Sequence, residues 1–395
     1  MKVGFDGKRA VSNMTGLGNY SRLVIERMAE TFPDDTFYVY TPALKANPRL
    51  AGIKSLSNVE FHTPPPMGFS GSLWRTFGIS NHLRPDGIDI YHGLSNELPL
   101  NIRNAGVASV VTVHDVIYRR VPECYNPLDR KIYDYKYGRS CRNATRIIAI
   151  SERTRQDIIE LYGIFPEKID VIYQGCDESF KCKCSPAEFR EVRQRLGLPE
   201  RYLLQVGTIE SRKNLELSVR ALASVPADIT LVAVGRDRKG YKKHVEGIAR
   251  ECGVSGRVVF LNEVAFRDLP ALNQMAEVIL YPSRYEGFGI PVIEGLESGR
   301  PVVAASGSCL EEAGGNAARY VAPDDPRALA EIINAILSDS GLAADMVEKG
   351  FRQAKRFDTS AMADSIMEVY RKAIGEYNLT NNPKPKNFSL PDLPV

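Results

Sequence analysis

The chain has 395 residues, enough for two domains or three, each with its own core. Hydrophobic residues make up 44% and charged residues 25%, as in ordinary soluble globular proteins, and a net charge of +3 is too small to argue for nucleic acid. Seven cysteines, an odd number without a spacing pattern, argue against a disulfide framework and for a reducing compartment.

The N-terminus, MKVGFDGKRA, carries no secretory signal, and no apolar run approaches membrane-spanning length. The expectation is a cytoplasmic protein whose membrane contact, if any, is peripheral. A strand over 3–5 ends at Asp6-Gly7. A glycine loop, Thr15-Gly16-Leu17-Gly18-Asn19-Tyr20, then opens a helix with Tyr20, Leu23, Val24 and Met28 on one face. Such a loop lets backbone approach a phosphate, but the third glycine of the dinucleotide fingerprint is missing, which argues against a dehydrogenase.

Strands recur at 37–41, 59–62, 88–91, 109–113, 147–150 and 168–172. Several are continuous apolar runs, as in parallel sheets covered on both faces. Polar residues stand just past their ends: His92, His114 with Asp115, and Ser151. That crest is where an open α/β sheet takes its ligands. Ser151 also suits the N-cap of a helix over 152–161. Alone, His114 reads as a satisfied core residue; its place at a strand's carboxyl end beside Asp115 favours a ligand site.

Residues 119–155 carry ten bases against four acids, with tyrosines at 118, 125, 133, 135 and 137 interleaved. A solvated helical face has this composition. So do a nucleic-acid surface and, the better partner reading of the two, a patch meeting anionic lipid headgroups or a lipid-linked diphosphate. Residues 174–199 lack a strand pattern and read as the linker, closed by the capping box Ser185-Pro186-Ala187-Glu188. No Cys-x-x-Cys pair or histidine completes a metal site around Cys176, Cys182 and Cys184.

A second α/β series follows, with strands at 202–206, 230–234, 258–260, 278–281, 301–304 and 319–321. Two parallel sheets with facing crests form one cleft. In GTIESRKN, residues 207–214, a glycine turn leaves a strand and Asn214 can cap a helix over 215–222. Arg212 and Lys213 stand just before that helix, suited to a diphosphate. In YPSRYEGFGIPVIE, residues 281–294, an apolar strand end, a loop with Gly287 and Gly289, and a helix started by Pro291 are bracketed by Glu286 and Glu294. Two carboxylates flanking an anion-holding loop imply a ligand with phosphate in the middle and a sugar at each end. The last helix covers 358–374, and the proline-rich, polar stretch 378–395 reads as a disordered tail.

EGFGIPVIE resembles the E-x7-E signature of the retaining nucleotide-sugar glycosyltransferases of family 4, which have the GT-B fold. The order glycine loop, histidine-aspartate, arginine-lysine, E-x7-E extends the resemblance to about residue 375. It implies two Rossmann-like, doubly wound domains facing a central cleft: 1–177 on the acceptor side, 178–357 for the nucleotide sugar, and a helix at 358–377 crossing back. Arg212 and Lys213, with Gly16 and Gly18, would hold the donor phosphates, although Thr208 stands where many members have a further arginine. His114 and Glu286 would be catalytic, beside the donor sugar, with Phe288, Gly289 and Ile290 forming its loop. Glu294 and Val264 would meet the nucleoside.

The chain looks most like the subgroup of mannosyltransferases of bacterial surface-polysaccharide assembly. That implies hexose transfer, with GDP-mannose the favoured donor, to a glycan or lipid-linked acceptor, without metal or other cofactor. The resemblance also implies front-face displacement, because no carboxylate is placed as nucleophile. The alternatives are a GT-B sugar-nucleotide epimerase, a glycan phosphorylase, which would need a much longer chain, and a degenerate sugar-nucleotide-binding protein.

Overall fold

A computed structural model describes residues 1–65 and 71–381. The first sheet is built from β1 (Lys2–Asp6), β2 (Thr36–Tyr40), β3 (Val59–His62), β4 (Ile90–Gly93), β5 (Ala108–Val113), β6 (Arg146–Ala149) and β7 (Ile169–Val171), all parallel, in the order β3-β2-β1-β4-β5-β6-β7. The second is built from β8 (Tyr202–Val206), β9 (Thr230–Val234), β10 (Val258–Leu261), β11 (Val278–Tyr281), β12 (Val302–Ala305) and β13 (Arg319–Val321). It too is parallel, in the order β10-β9-β8-β11-β12-β13. Both orders reverse direction beside their first strand, the doubly wound Rossmann-like arrangement expected from the sequence. Each such reversal opens a crevice at the strands' carboxyl ends.

The central strands are legible because burial on both faces demands apolar residues throughout: every residue of β5, ASVVTV, is buried, as is every residue of β11, VILY.

The helices that shape the cleft are α1 (Lys8–Ser12), α2 (Gly16–Thr31), α3 (Pro127–Asn143), α4 (Glu152–Tyr162), α5 (Pro186–Leu196), α6 (Leu215–Leu222), α7 (Ile290–Glu297), α8 (Leu310–Gly314), α9 (Pro326–Ser338) and α10 (Thr359–Asn381). The capping box of α5 forms as read, with Ser185 and Glu188 exchanging hydrogen bonds, and Asp325 caps α9 through Ala328 N.

Three readings are corrected. His92 lies inside β4, fully buried, with its ring hydrogen-bonded on both sides, Nδ1 with the Tyr370 hydroxyl at 2.6 Å and Nε2 with Thr112 Oγ1 at 2.8 Å. Asn214 precedes α6 but does not cap it. Its backbone is left-handed (φ 56°), and its amide donates instead to the carbonyls of Pro282 and Pro323. α10 runs to Asn381, so residues 378–381 are helical, because the last turn continues without a glycine or proline to stop it. The rest of the expected tail, 382–395, lies outside the described residues. α10 packs on α2, β4 and β5 of the first sheet, and Tyr370 ties it to His92.

Candidate active site

The two strongest sequence stretches straddle one crevice. The loop after β8 carries Arg212 and Lys213, and the loop after β11 carries Glu286. β8 and β11 are the adjacent strands at which the second sheet reverses. Arg212 Nη1 lies 2.7 Å and Lys213 Nζ 2.6 Å from Glu286 Oε1, and Ser283 Oγ donates to the same oxygen at 2.5 Å. Burial alone would raise the carboxyl; Arg212 and Lys213 outweigh it and hold Glu286 at about 2. Glu210 steadies Arg212 from the other side at 2.7 Å, and Lys213 donates to the buried Tyr281 hydroxyl at 2.6 Å. Glu286 balances the two cations, and an anionic group entering the crevice would compete for them.

Glu294 lies on α7, buried, with no ion pair among the described residues. Burial, and secondarily Asp177, push its carboxyl up to about 8. The two glutamates of the motif are thus driven apart, one firmly ionised and one largely protonated at neutral pH.

The first domain contributes His114, at the end of β5. Its Nε2 lies 2.9 Å from the Leu94 carbonyl, and its backbone N–H donates to Asn96 Oδ1 at 2.7 Å. Burial lowers the imidazole to about 4, so the ring is neutral. A carbonyl can only accept, so Nε2 carries the hydrogen and Nδ1 is left an acceptor. Tyr20 meets the ring edge-on, centroids 4.6 Å apart. Asp115 does not orient the imidazole. Its Oδ1 accepts from Ile117 N at 3.2 Å and so caps the loop.

The glycines behave differently from the sequence reading. Gly16 and Gly18 lie in the first turn of α2, not in a loop before it, because Asn13 folds the chain back by accepting from Thr15 N at 2.7 Å. A Cβ on Gly18 would sit 1.9 Å from the Asn13 carbonyl oxygen, which explains that glycine by packing; Gly16 faces open space. A Cβ on Gly287 would sit 1.9 Å from the His114 carbonyl oxygen. The carbonyl of Gly287 accepts from Ser151 Oγ at 2.6 Å and Thr154 Oγ1 at 3.2 Å. Gly287 therefore seats the E-x7-E loop directly on the His114 backbone and joins the two halves of the site. Ser151 does cap α4 through Thr154 N, and it serves this second contact as well.

Phe288 turns into the core, stacked on Tyr173 at 5.5 Å, so only its backbone faces the loop. Gly289 has φ 121° and no room for a Cβ against Leu310, and Ile290 opens α7. Val264 is half-buried against the second domain's core.

Two residues escaped the sequence reading. Arg9, on α1, has its Nε buried without a hydrogen-bond partner and lies within electrostatic reach of His114. Its signal was available: a basic pair, Lys8-Arg9, directly after the first strand. Tyr281, read only as a strand residue, is the buried hydroxyl that meets Lys213. The basic run 119–155 is not one open face. Arg119 pairs with Asp134, Arg120 with Asp157 and Glu160, Arg146 with Asp170 and Glu376, Arg153 with Asp157, and Arg155 with Glu152. The sequence could not show this, since most partners are distant in the chain. All seven cysteines are free, and among the described residues no three His, Cys, Asp or Glu side chains are grouped to hold a metal ion. Nor is any described helix long and apolar enough to cross a membrane.

Residues 15–180 match Glycosyltransferase Family 4, and residues 188–353 match glycosyl transferases group 1. The chain is 31% identical over 287 residues to O-antigen chain mannosyltransferase B of Escherichia coli, covering 71% of this chain and 74% of that one. It is 33% identical over 248 residues to D-inositol 3-phosphate glycosyltransferase of Mycobacterium tuberculosis, 60% of this chain and 50% of that one. Among solved structures, Anabaena HepE in complex with UDP and glucose superposes with a TM-score of 0.74 at 23% identity, over 94% of this chain and 100% of that one. WaaG, a glycosyltransferase involved in lipopolysaccharide biosynthesis, does so with a TM-score of 0.68 at 20% identity, over 94% and 99%. The fold is GT-B, and the chain belongs to the GT-B glycosyltransferases, its first half of family 4 and its second of group 1.

Proposed function

From that membership we propose a retaining mannosyltransferase that moves mannose from GDP-mannose to a glycan or lipid-linked oligosaccharide during surface-polysaccharide assembly. The observation that carries the reading is the convergence of Arg212 and Lys213 on Glu286 at the second sheet's crevice, with His114 brought against the same loop through Gly287. The E. coli relative's name supports mannose, and HepE with UDP and glucose supports a nucleotide-sugar donor.

In this reading Arg212 and Lys213 take the diphosphate. Glu294 takes ribose hydroxyls, with Val264 beside the base. Glu286 and the backbone of residues 288–290 take the sugar, and Gly16 lies toward the phosphates. His114 accepts a hydrogen bond from a sugar hydroxyl through Nδ1. The bond from the anomeric carbon to the phosphate oxygen breaks as the acceptor oxygen attacks from the same face. The acceptor's proton passes to the departing phosphate oxygen. Two fixed cations in a water-poor crevice stabilise the developing negative charge, and transfer is proposed to persist in EDTA.

The test is a panel of nucleoside diphosphate sugars scored by thermal shift and by transfer, with the product anomer read by NMR. GDP-mannose should raise the melting temperature most and yield an α-linked mannoside. Turnover without acceptor to an epimerised sugar nucleotide would replace transfer by epimerisation. Binding without turnover, across donors and acceptors, would leave a sugar-nucleotide-binding protein.

A further inference from the structure

We infer that Asn96 is a positioning residue for His114: it clasps the end of β5 so that the imidazole presents a bare Nδ1 to the donor sugar. The inference rests on the reading of His114 as a donor-sugar residue. Asn96 stands in the loop that follows β4, where Leu94, Ser95 and Asn96 are all buried. Its Oδ1 accepts from the His114 N–H at 2.7 Å, and its own N–H donates to the Thr112 carbonyl at 2.8 Å. These two bonds straddle Val113 and fix the backbone on either side of it. Two residues earlier in the same loop, the Leu94 carbonyl accepts from His114 Nε2 at 2.9 Å. One short loop thus holds both the backbone of His114 and its ring.

The backbone of Asn96 is left-handed, with φ 62°, which is uncommon for a residue with a side chain. Glycine would take that conformation without steric cost, so what asparagine adds is the amide. Both arms of the amide are engaged. A backbone N–H can only donate, so Oδ1 faces His114, and Nδ2 is the arm left for the Tyr137 hydroxyl of α3, to which the side chain is hydrogen-bonded. The far end of the loop is anchored as well, since Glu97 pairs with Arg75 at 2.7 Å. Tyr20 braces the imidazole edge-on, and its hydroxyl meets Thr112 Oγ1 at 3.2 Å.

The frame matters through the tautomer. A ring turned away from Leu94 would free Nε2, and the hydrogen could then sit on either nitrogen. A ring protonated on Nδ1 cannot accept a sugar hydroxyl's hydrogen there. Where that contact tightens in the transition state, losing the frame costs turnover and little donor affinity.

Asn96→Gly isolates the amide, because glycine keeps the left-handed backbone. It should lower kcat about 10- to 100-fold, the cost of a misplaced catalytic group, with the donor KM within about twofold of wild type. The full chain labelled with 15N in its histidines gives a second readout by NMR, His114 being the signal missing from His114→Ala. The wild type should show Nε2 protonated and Nδ1 bare, and Asn96→Gly should show the two nitrogens averaged toward each other. A purely structural asparagine would lower the melting temperature and leave kcat per folded molecule and the spectrum unchanged, and that result overturns the inference. So does a wild-type His114 protonated on Nδ1. If Asn96→Gly does not fold, Tyr137→Phe releases the other arm of the amide and should lower kcat about threefold at unchanged KM, the scale of one hydrogen bond. An unaltered kcat there decides against the clasp. Normal turnover in His114→Ala would end the catalytic reading of His114 itself, whereas a slow His114→Ala beside a normal Asn96→Gly would end only the clasp.

Discussion

The E-x7-E motif gives two chemically identical side chains opposite states. Glu286 is held at about 2 by Arg212 and Lys213 despite its burial, and Glu294 is pushed to about 8 by burial and Asp177. Separation of this kind marks groups with different work. Glu294 lies above its unfolded value of 4.5, so the folded chain binds more protons than the unfolded one between pH 4.5 and 8. Its contribution to stability is present below pH 4.5 and is lost as pH rises through about 8. Two ribose hydroxyls donating to this group would favour its ionised form. Nucleotide binding near pH 7 should then release up to one proton, so the heat measured by calorimetry should change with the buffer's ionisation enthalpy. Glu294→Gln should abolish that buffer dependence and weaken the bare nucleoside diphosphate. Heats independent of buffer in the wild type would remove Glu294 from the nucleotide site.

At the scale of elements, strands and motif order were legible, because buried parallel strands are apolar throughout and the loops that follow them carry the chemistry. α1 was not, being five residues with no periodicity to read. The reasons for the glycines were not legible either, since close approach is a tertiary fact. Gly18 and Gly287 look alike in sequence, and each has a carbonyl oxygen 1.9 Å from where its Cβ would stand. Their neighbours separate them. Gly18 meets Asn13, within one local turn, while Gly287 meets His114, across the cleft. Gly18→Ala should cost about 1–3 kcal/mol by overpacking, with turnover per folded molecule near wild type. Gly287→Ala should lower turnover by about 100-fold, the scale of an ångström-sized misplacement, and leave affinity for the free nucleotide intact. Melting temperature, nucleotide affinity and kcat measured on both variants decide the matter, and a Gly287→Ala enzyme with normal kcat contradicts it.

At the scale of the whole molecule, the two domains meet through an apolar contact, Phe288 stacked on Tyr173, and through a set of polar contacts that involve α4. Glu312, on α8 of the second domain, accepts from the backbone N–H groups of Glu152 at 2.7 Å and Arg153 at 2.9 Å, capping an exposed helix end of the first domain. The Tyr285 hydroxyl donates to Asp157 at 2.5 Å and accepts from Arg153 Nε at 2.7 Å, and Asp157 also holds Arg120. Together with Ser151 and Thr154 on Gly287, these contacts bring His114 to a loop whose cations and carboxylates belong to the other domain. Hydrogen bonds contribute only about 0.5–1.5 kcal/mol each, more when one partner is charged, so a closure built from a handful of them is reversible. Substrate must enter and product leave, so reversibility suits the function. Glu312→Gln combined with Tyr285→Phe should therefore loosen the closed form without unfolding either domain. The radius of gyration from X-ray scattering should rise. Affinity for the nucleoside diphosphate should stay within about twofold, because Arg212, Lys213 and Glu294 all lie in one domain. Turnover should fall, because His114 does not. If the double variant lost nucleotide affinity and turnover in equal measure, the closing contacts would be part of the donor site itself, and the division of labour between the domains would be wrong.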